Sequence, residues 1–421
     1  MASDIDASRP TLSGYTGPDS DQLIYGLPAA IDNPGDLRPS SSLGLEAEYA
    51  YQWGPTTLVE YKQHLDSFLE NHFPTASQIR LKQDLEQYLN AWTPKDNESA
   101  ISLPALGGTG ISRKIYMTDK DDSRMNSDDV ADWVENKDGW DVIFIDDQAA
   151  EKFVDRNLGS SRLKQVWDAL PKGIMHSDML RYTLLYLNGG IYTDLDTRPL
   201  KPLSEWGREP DLFRQGRGWL FPEDQEHEPT PEELEKMKRS LDVASVVVGV
   251  ESDVGGREDW HDWWPRPLQI VQWTIGSAPR HPILLDVLLG ITRATSRAYT
   301  WAREHQIDST TRSPQDSDTT LPDITSEPNA GGPVGVMEWT GPGVWTDSVL
   351  RYLRVKYGVR WTDLRRLARP VRIGEVVVLP VTGFSPGVGN FGAMSRKHRE
   401  AMVEHKFAGT WKPRESRPEE E

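Results

Sequence analysis

Apolar and polar residues recur along the chain with two periods, which predict helices and buried strands. Between residues 56 and 92 the apolar side chains repeat every three or four positions, so we expect a helical hairpin there. Further along, the short apolar runs SRKIYMTD and DVIFID each precede a helical period. This alternation predicts a parallel sheet built from right-handed crossovers.

The second half of the chain continues the alternation. LDVASVVVGV and EVVVLP have the composition of buried strands. Three further segments are predicted to be helices: LQIVQWTIG, HPILLDVLLGITRATSRAY and VWTDSVLRYLRVKYG.

Changes in composition divide the chain into four parts. Residues 1–55 are rich in Gly, Pro, Ser and Asp, and we expect an extended or disordered stem. A helical extension at 56–100 precedes an α/β domain at 101–412, and an acidic tail occupies 413–421.

Composition excludes several classes of function. The formal net charge of −18 over 421 residues argues against a nucleic-acid-binding protein, which needs basic patches. The absence of cysteine excludes disulfides, thiolate nucleophiles and Cys-ligated metals. The sequence has no apolar run of about 18 residues and does not begin like a signal peptide, so we expect any natural membrane anchor to be missing from it.

Two aspartates interrupt an apolar stretch at NGGIYTDLDTRPL. We place Asp194 and Asp196 in a strand, where alternation puts both side chains on one side and Leu195 on the other. Two like charges on one face repel each other, and a hard divalent cation bound by the carboxylates would resolve this. The alternative is a turn in which the carboxylates accept backbone N–H groups.

The preceding segment, SDMLRYTLLYLNGG, is predicted to be a helix that begins with Ser177 as N-cap and ends at Gly189–Gly190. Asp178 and Arg181 are three residues apart and therefore lie on one helix face. They form either a local ion pair near the helix start or part of a site with the aspartates that follow.

Taken as a unit, SDMLRYTLLYLNGGIYTDLDT resembles the core motif of glycosyltransferase family 32, whose members have the GT-A nucleotide-sugar fold. Four later motifs resemble the fungal Golgi branch of initiating α-1,6-mannosyltransferases: RPLQIVQWTIGSAPRHPIL, TGPGVWTDSVLRYL, GFSPGVGNFGAMS and HKFAGTWK. The resemblance covers roughly residues 105–412.

The resemblance implies a fold and a reaction. The fold would be α/β, a GT-A fold with a single Rossmann-like mixed sheet flanked by helices, here with an N-terminal helical extension. The reaction would be Mn²⁺-dependent, configuration-retaining transfer of mannose from GDP-mannose to an N-glycan core, in the Golgi lumen by a type II membrane protein. Two alternatives stay open: transfer to a sphingolipid or polysaccharide, and a catalytically silent binder of glycans or nucleotide sugars.

The resemblance also implies roles for individual residues. Asp194, Asp196 and His405 would hold the metal, although His405 taken alone is an ordinary histidine at the end of an amphipathic helix. Asp178 and Arg181 would bind hydroxyl groups of the donor sugar. Gln272 would contact the donor sugar or the acceptor; the alternative is a glutamine on a helix surface. The residues expected to close over the diphosphate are Thr410, Trp411 and Lys412. Asp347 either caps a helix or faces the acceptor.

Overall fold

Short strands and helices alternate through most of the chain in a computed structural model. The structure describes residues 18–27, 57–90, 110–136, 139–159, 161–208, 210–214, 218–220, 244–254, 260, 263–305, 323–328 and 331–408. The described strands are β1 Lys114–Thr118, β2 Asp141–Ile145, β3 Gly190–Thr193, β4 Thr197–Pro199, β5 Asp211–Arg214, β6 Gly218–Leu220, β7 Val246–Asp253, β8 Leu268–Ile270, β9 Thr274–Ser277, β10 Val371–Ile373, β11 Val376–Leu379 and β12 Val403–His405.

The described helices follow the same chain order. They are α1 Ser20–Leu23, α2 Leu58–His72, α3 Thr75–Asn90, α4 Asp128–Glu135, α5 Asp147–Leu158, α6 Arg162–Asp168, α7 Gly173–Asn188, α8 Pro282–Glu304, α9 Val336–Trp339, α10 Pro342–Tyr357 and α11 Val381–Phe384. None of them is both long and apolar enough to cross a bilayer.

Ten of the described strands belong to one mixed sheet. Its order is β2-β1-β3-β9-β7-β11-β10-β5-β6, and β8 pairs with β7 off this path. Strands β2, β1 and β3 are parallel, whereas β9 runs antiparallel to both β3 and β7. Strands β3 and β7 therefore point the same way, and their carboxyl ends lie at the same edge of the sheet. The predicted α/β fold class, a large mixed sheet flanked by helices, is confirmed.

Strand alternation separates two hydrophobic clusters on opposite faces of the sheet. In β1, Ile115 and Met117 belong to one cluster and Tyr116 to the other. The larger cluster includes the buried faces of α2, α7, α8 and α10. The smaller cluster packs around Trp133 of α4 and Trp206. Together they fix the strand ends from which the functional residues project.

The helical hairpin predicted between residues 56 and 92 corresponds to α2 and α3. Helix α2 begins with a capping box in which Thr57 and Glu60 each accept a backbone N–H of the other. Within the stretch predicted to be a stem, Ser20 and Leu23 of α1 are buried against α8, and Ser296 Oγ donates to Ser20 O at 2.9 Å. Most of residues 1–55 and all of 413–421 lie outside the described residues, and the division into domains stays a prediction.

Two predicted elements are wrong. The segment LQIVQWTIG is not a helix but forms β8, a short connection and β9. Every residue from 268 to 276 is buried, so the run has no polar face from which a period could be recognised. Helix α7 begins at Gly173 after the N-cap Lys172, so Ser177 lies inside the helix and is not its N-cap.

Candidate functional site

A tight turn at the end of β3 carries both aspartates. Asp194 directly follows the last strand residue, and Leu195 and Asp196 form the turn before β4. The prediction that both lie in one strand is therefore wrong. The chain leaves the sheet because the Asp194 carbonyl accepts the Thr197 hydroxyl at 2.5 Å, which closes the turn. The Asp194 N–H still donates to the Trp273 carbonyl at 2.8 Å.

Glycines place this turn at the sheet edge. Helix α7 ends at Gly189, whose φ is +65°, and β3 begins at Gly190, whose φ is +120°. A Cβ on Gly190 would lie 2.7 Å from the Lys114 carbonyl oxygen of β1. Both residues must therefore be glycine for the chain to pass directly from helix to central strand. The predicted glycine stop of the helix is confirmed.

A small second sheet brings His405 to the turn. Strand β12 pairs antiparallel with β4, and His405 lies opposite Thr197. His405 Nε2 is 3.1 Å from Asp196 Oδ1. Just beyond the strand, the N–H of Ala408 donates to Asp196 Oδ2 at 3.0 Å. His405 thus lies in a strand, and its expected position at a helix end is wrong.

Asp194, Asp196 and His405 form a group that could hold a metal ion. One potential ligand atom from each lies within 4.8 Å of the others, and all three residues are partly buried. Two carboxylate oxygens and an imidazole nitrogen suit a divalent cation. Burial raises the pKa of Asp196, but the bonds from His405 and Ala408 outweigh it and lower that pKa overall. The carboxylate is therefore ionised near neutral pH, as a metal ligand must be.

Aromatic rings fix the orientation of the histidine. The Trp273 ring stacks on the His405 ring at a centroid distance of 4.5 Å and an angle of 12°. Phe407 packs edge-on against His405 at 4.2 Å and has a φ of +52°. The sequence prediction missed both aromatic residues, although Trp273 directly follows Gln272 in the QWT motif and Phe407 lies within HKFAGTWK.

Asp178 and Arg181 join helix α7 to the turn. Both are 3% exposed, and Arg181 Nη2 lies 2.9 Å from Asp178 Oδ1. Arg181 Nη1 lies 3.4 Å from Asp194 Oδ1, and the guanidinium sits 4.5 Å over the Tyr192 ring. The Tyr192 hydroxyl donates to the same Asp194 oxygen at 2.8 Å. The structure thus brings the two predicted pairs into one connected group.

The buried Asp178 carboxyl group is hydrogen-bonded to the segment before α10. Burial raises the pKa of Asp178 to about 7, although Arg181 and the Thr340 hydroxyl act in the opposite direction. Thr340 Oγ1 donates to Asp178 Oδ2 at 2.8 Å, and the Gln272 amide donates to the Thr340 carbonyl at 3.2 Å. Gln272 is therefore close to Asp178, and Thr340 is a member of this group that the sequence did not predict.

The remaining predicted residues are Asp347, Thr410, Trp411 and Lys412. Asp347 lies within α10, and its oxygens accept two bonds of 2.6 Å from the buried Arg266, which also pairs with Glu338. Among the described contacts, Asp347 is thus part of a buried ion-pair cluster. Thr410, Trp411 and Lys412 lie outside the described residues.

Comparison with known proteins confirms the resemblance. Residues 123–213 match the family described as glycosyltransferase sugar-binding region containing DXD motif. This range includes Asp178, Arg181 and both turn aspartates.

Three fungal relatives are each named initiation-specific α-1,6-mannosyltransferase. The Schizosaccharomyces pombe protein is 32% identical over 284 residues, covering 66% of this chain and 58% of the relative. The Candida albicans protein is 32% identical over 257 residues, covering 58% and 55%. The Saccharomyces cerevisiae protein is 28% identical over 321 residues, covering 59% and 65%. The chain thus spans 55–65% of the length of these three relatives.

Among solved structures, the chain is similar to one named PaToxG Glycosyltransferase. The identity is 14%, the match covers 66% of this chain and 81% of that one, and the TM-score is 0.31. A score this low adds nothing to the description of the fold.

Proposed function

We propose that the protein is a divalent-metal-dependent mannosyltransferase that moves mannose from GDP-mannose to a mannose hydroxyl of an N-glycan core, in α-1,6 linkage. The observation that carries this proposal is the convergence of Asp194, Asp196 and His405 at the carboxyl edge of the sheet. The match to a DXD-containing glycosyltransferase region and the names of the fungal relatives support it.

The metal is proposed to be Mn²⁺, held by Asp194, Asp196 and His405. When bound, the ion would stabilise the negative charge that develops on the departing diphosphate. The chain's own contribution is to hold the ligands in place. The β4–β12 pairing positions His405, and Trp273 and Phe407 fix the orientation of its ring. The Ala408 N–H holds the Asp196 carboxylate.

The donor sugar is proposed to lie against Asp178 and Arg181. The Asp178 carboxyl group contacts Arg181, Thr340 and Gln272, and its two oxygens can accept about four hydrogen bonds in all. Sugar hydroxyl groups are suitable donors for these oxygens. Gln272 extends the same surface, and we propose that Thr410, Trp411 and Lys412 close over the diphosphate.

The proposed reaction retains configuration at the anomeric carbon, as the family resemblance implies. The acceptor oxygen attacks from the face that the diphosphate leaves, and the leaving phosphate oxygen takes the acceptor's proton. Asp178 and Arg181 hold the donor sugar while the bond to the diphosphate breaks. A mannosyl group trapped on an enzyme carboxylate would contradict this route.

We further propose that the natural enzyme works in the Golgi lumen. The acceptor would be a glycan on a glycoprotein. This placement follows from the family resemblance.

The test is a screen of donors against acceptors, with Mn²⁺ or with a chelator. We expect transfer from GDP-mannose to a high-mannose oligosaccharide, lost with chelator and restored by Mn²⁺. Preferred transfer to a sphingolipid or a polysaccharide would replace the proposed acceptor. The enzymatic function itself would be refuted if no donor released its nucleotide with any acceptor or with water.

A further inference from the structure

Strand β7 contains a carboxylate in a position that the core pattern does not explain. Its residues Val246 to Val250 are buried, yet the next residue is Glu251. In the pairing with β8, Val250 lies opposite Ile270 and Ser252 opposite Gln269, so Glu251 is the extra residue of a β-bulge. Bulges redirect a side chain and are frequent beside active sites.

The sheet register places this bulge at the same level as the turn that carries the aspartates. Ser277 of β9 pairs with both Gly190 of β3 and Val246 of β7. Asp194 follows Gly190 by four residues, and Val250 follows Val246 by four. Because β3 and β7 run in the same direction, Asp194 and Val250 are level at the sheet edge. Two strand spacings separate their backbones by about 10 Å. The Glu251 backbone therefore lies about 10 Å from the turn that carries two of the proposed metal ligands.

The Glu251 carboxylate has unused capacity for hydrogen bonds. Within the described residues, its hydrogen-bond donor is the Gln269 amide, with Nε2 at 2.6 Å from Glu251 Oε2. A carboxylate can accept about four hydrogen bonds. Gln269 itself is fully buried, and its Oε1 has no hydrogen-bond partner among the described residues. Glu251 is partly exposed, so an external ligand can reach it.

The charged groups around Glu251 include a residue of the proposed metal site. Burial raises the pKa of Glu251 to about 7, while Gln269 and the nearby His405 act in the opposite direction. The carboxyl group therefore interacts electrostatically with the proposed metal site without being one of its ligands.

The position favours the acceptor over the donor. Strands β1 and β2 lie on one side of β3, and nucleotides bind at the carboxyl ends of such parallel strands. Glu251 lies on the other side of β3, beyond β9. A donor held at its diphosphate by the turn would thus have its nucleotide on the β1 side and leave the β7 side open for an acceptor.

We propose that Glu251, oriented by Gln269, binds hydroxyl groups of the acceptor sugar and positions it for attack. This proposal rests on the proposed function. Glu251 accepts hydrogen bonds from the acceptor and takes no proton from it during the reaction. The acceptor oxygen forms the new bond to the anomeric carbon, the bond to the diphosphate breaks, and the proton goes to the leaving phosphate oxygen.

The experiment compares Glu251→Gln with wild type and with Glu86→Gln, an exposed control on α3. For each protein we would measure transfer as a function of acceptor concentration and Mn²⁺-dependent hydrolysis of GDP-mannose without acceptor. A lost hydrogen bond to a charged group predicts an increase in acceptor KM of about 10- to 100-fold in Glu251→Gln. Donor hydrolysis and Mn²⁺ affinity should stay within about twofold of wild type, and the control should match wild type throughout.

Two results would overturn the inference while leaving the proposed function in place. One is an unchanged acceptor KM in Glu251→Gln. The other is an equal loss of transfer and donor hydrolysis, which would indicate a structural or donor-side role. Glu251→Asp keeps the charge but retracts it by one methylene, so it should give an intermediate KM even if the glutamine variant folds poorly. If wild type transfers to no acceptor, the proposed function fails first and the inference with it.

Discussion

Two groups in the molecule combine carboxylate, histidine and aromatic side chains, but only one is saturated by its own protein partners. Around Glu375, which is 2% exposed, Lys356 Nζ donates at 3.0 Å, the hydroxyl groups of Tyr352 and Tyr357 donate, and His281 lies 3.5 Å away. Although burial opposes ionisation, Lys356 and His281 hold the pKa of Glu375 far below its usual range.

The group at the sheet edge is built differently. Asp194 and Asp196 converge with His405, and their side chains are 31% and 18% exposed. Arg181 is the arginine that reaches Asp194, and it also pairs with Asp178. Removing one partner of a carboxylate that is saturated inside the protein destabilises the fold, whereas converging carboxylates with open positions favour an external cation.

The largest expected effect is on turnover at the open group. Asp196→Asn keeps an oxygen for the Ala408 N–H but removes the charge, so we expect transfer to fall at least about 10³-fold, equivalent to about 4 kcal/mol. The melting temperature should stay close to that of wild type. Initial-rate assays with Mn²⁺ would measure this, with the exposed Asp155→Asn as control. Wild-type activity in Asp196→Asn would remove the metal assignment.

The closed group should give the opposite result. Lys356→Met leaves Glu375 buried without its main counter-charge, so we expect a loss of about 3–5 kcal/mol in the free energy of unfolding. Urea unfolding would measure it, and Lys152→Met, at an exposed position on α5, should change stability by less than about 0.5 kcal/mol. Mn²⁺ affinity of the folded variant should be unchanged. Equal stability of Lys356→Met and Lys152→Met would contradict the role of Lys356 as the main counter-charge of Glu375.

His405 gives a smaller effect within the open group. His405→Gln removes the imidazole ligand but leaves both aspartates. We expect Mn²⁺ affinity to fall about 10- to 100-fold, because even mutations of residues that only hydrogen-bond to metal ligands typically cost this much. Calorimetric titration of Mn²⁺ would detect it. The exposed His305→Gln is the matched control. Unchanged affinity in His405→Gln would show that the ring serves only to hold Asp196.

The last effect concerns the pH dependence of stability through Asp178. Its pKa is raised from 3.8 to about 7 by burial, so the folded chain holds a proton that the unfolded chain releases. This contribution to stability is complete below about pH 4 and is lost as the pH rises through about 7. Wild type loses this stability between pH 4 and 8 and Asp178→Asn does not, so the stability of the variant relative to wild type should increase by at most about 4 kcal/mol over that range.

Urea unfolding of the metal-free proteins at pH 4, 6 and 8 would measure this difference. A stability difference that does not vary with pH would mean that Asp178 is ionised throughout, as a simple ion pair with Arg181 would require.

The sequence pattern correctly predicted those elements in which polar and apolar residues alternate with a clear helical or strand period, or in which the apolar run has the length of a strand. Strands β1 and β2 and the helix ending at Gly189 were predicted in this way. The same reasoning failed for residues 268–276, because burial on all sides leaves no polar face. It also placed Asp194 and Asp196 in a strand, because the bond that closes their turn comes from the Thr197 side chain and not from the strand pattern.

Contacts distant in sequence explain what was missed in the site. His405 meets Asp196 through the β4–β12 pairing, and only the family resemblance pointed to it. Thr340 contacts Asp178 across 162 positions, and the stacking of Trp273 on His405 is equally non-local. Glu251 was hidden by the apolar run before it, since only the register of β7 with β8 reveals the bulge.

The most direct test of the central claim is Mn²⁺ binding to the full chain with GDP present, followed by electron paramagnetic resonance. We expect one Mn²⁺ per chain, bound more tightly with GDP than without it. Binding should be abolished in Asp196→Asn and preserved in Lys356→Met. Equal binding by wild type and Asp196→Asn, or no binding by wild type, would contradict the assignment of Asp194, Asp196 and His405 as a metal site.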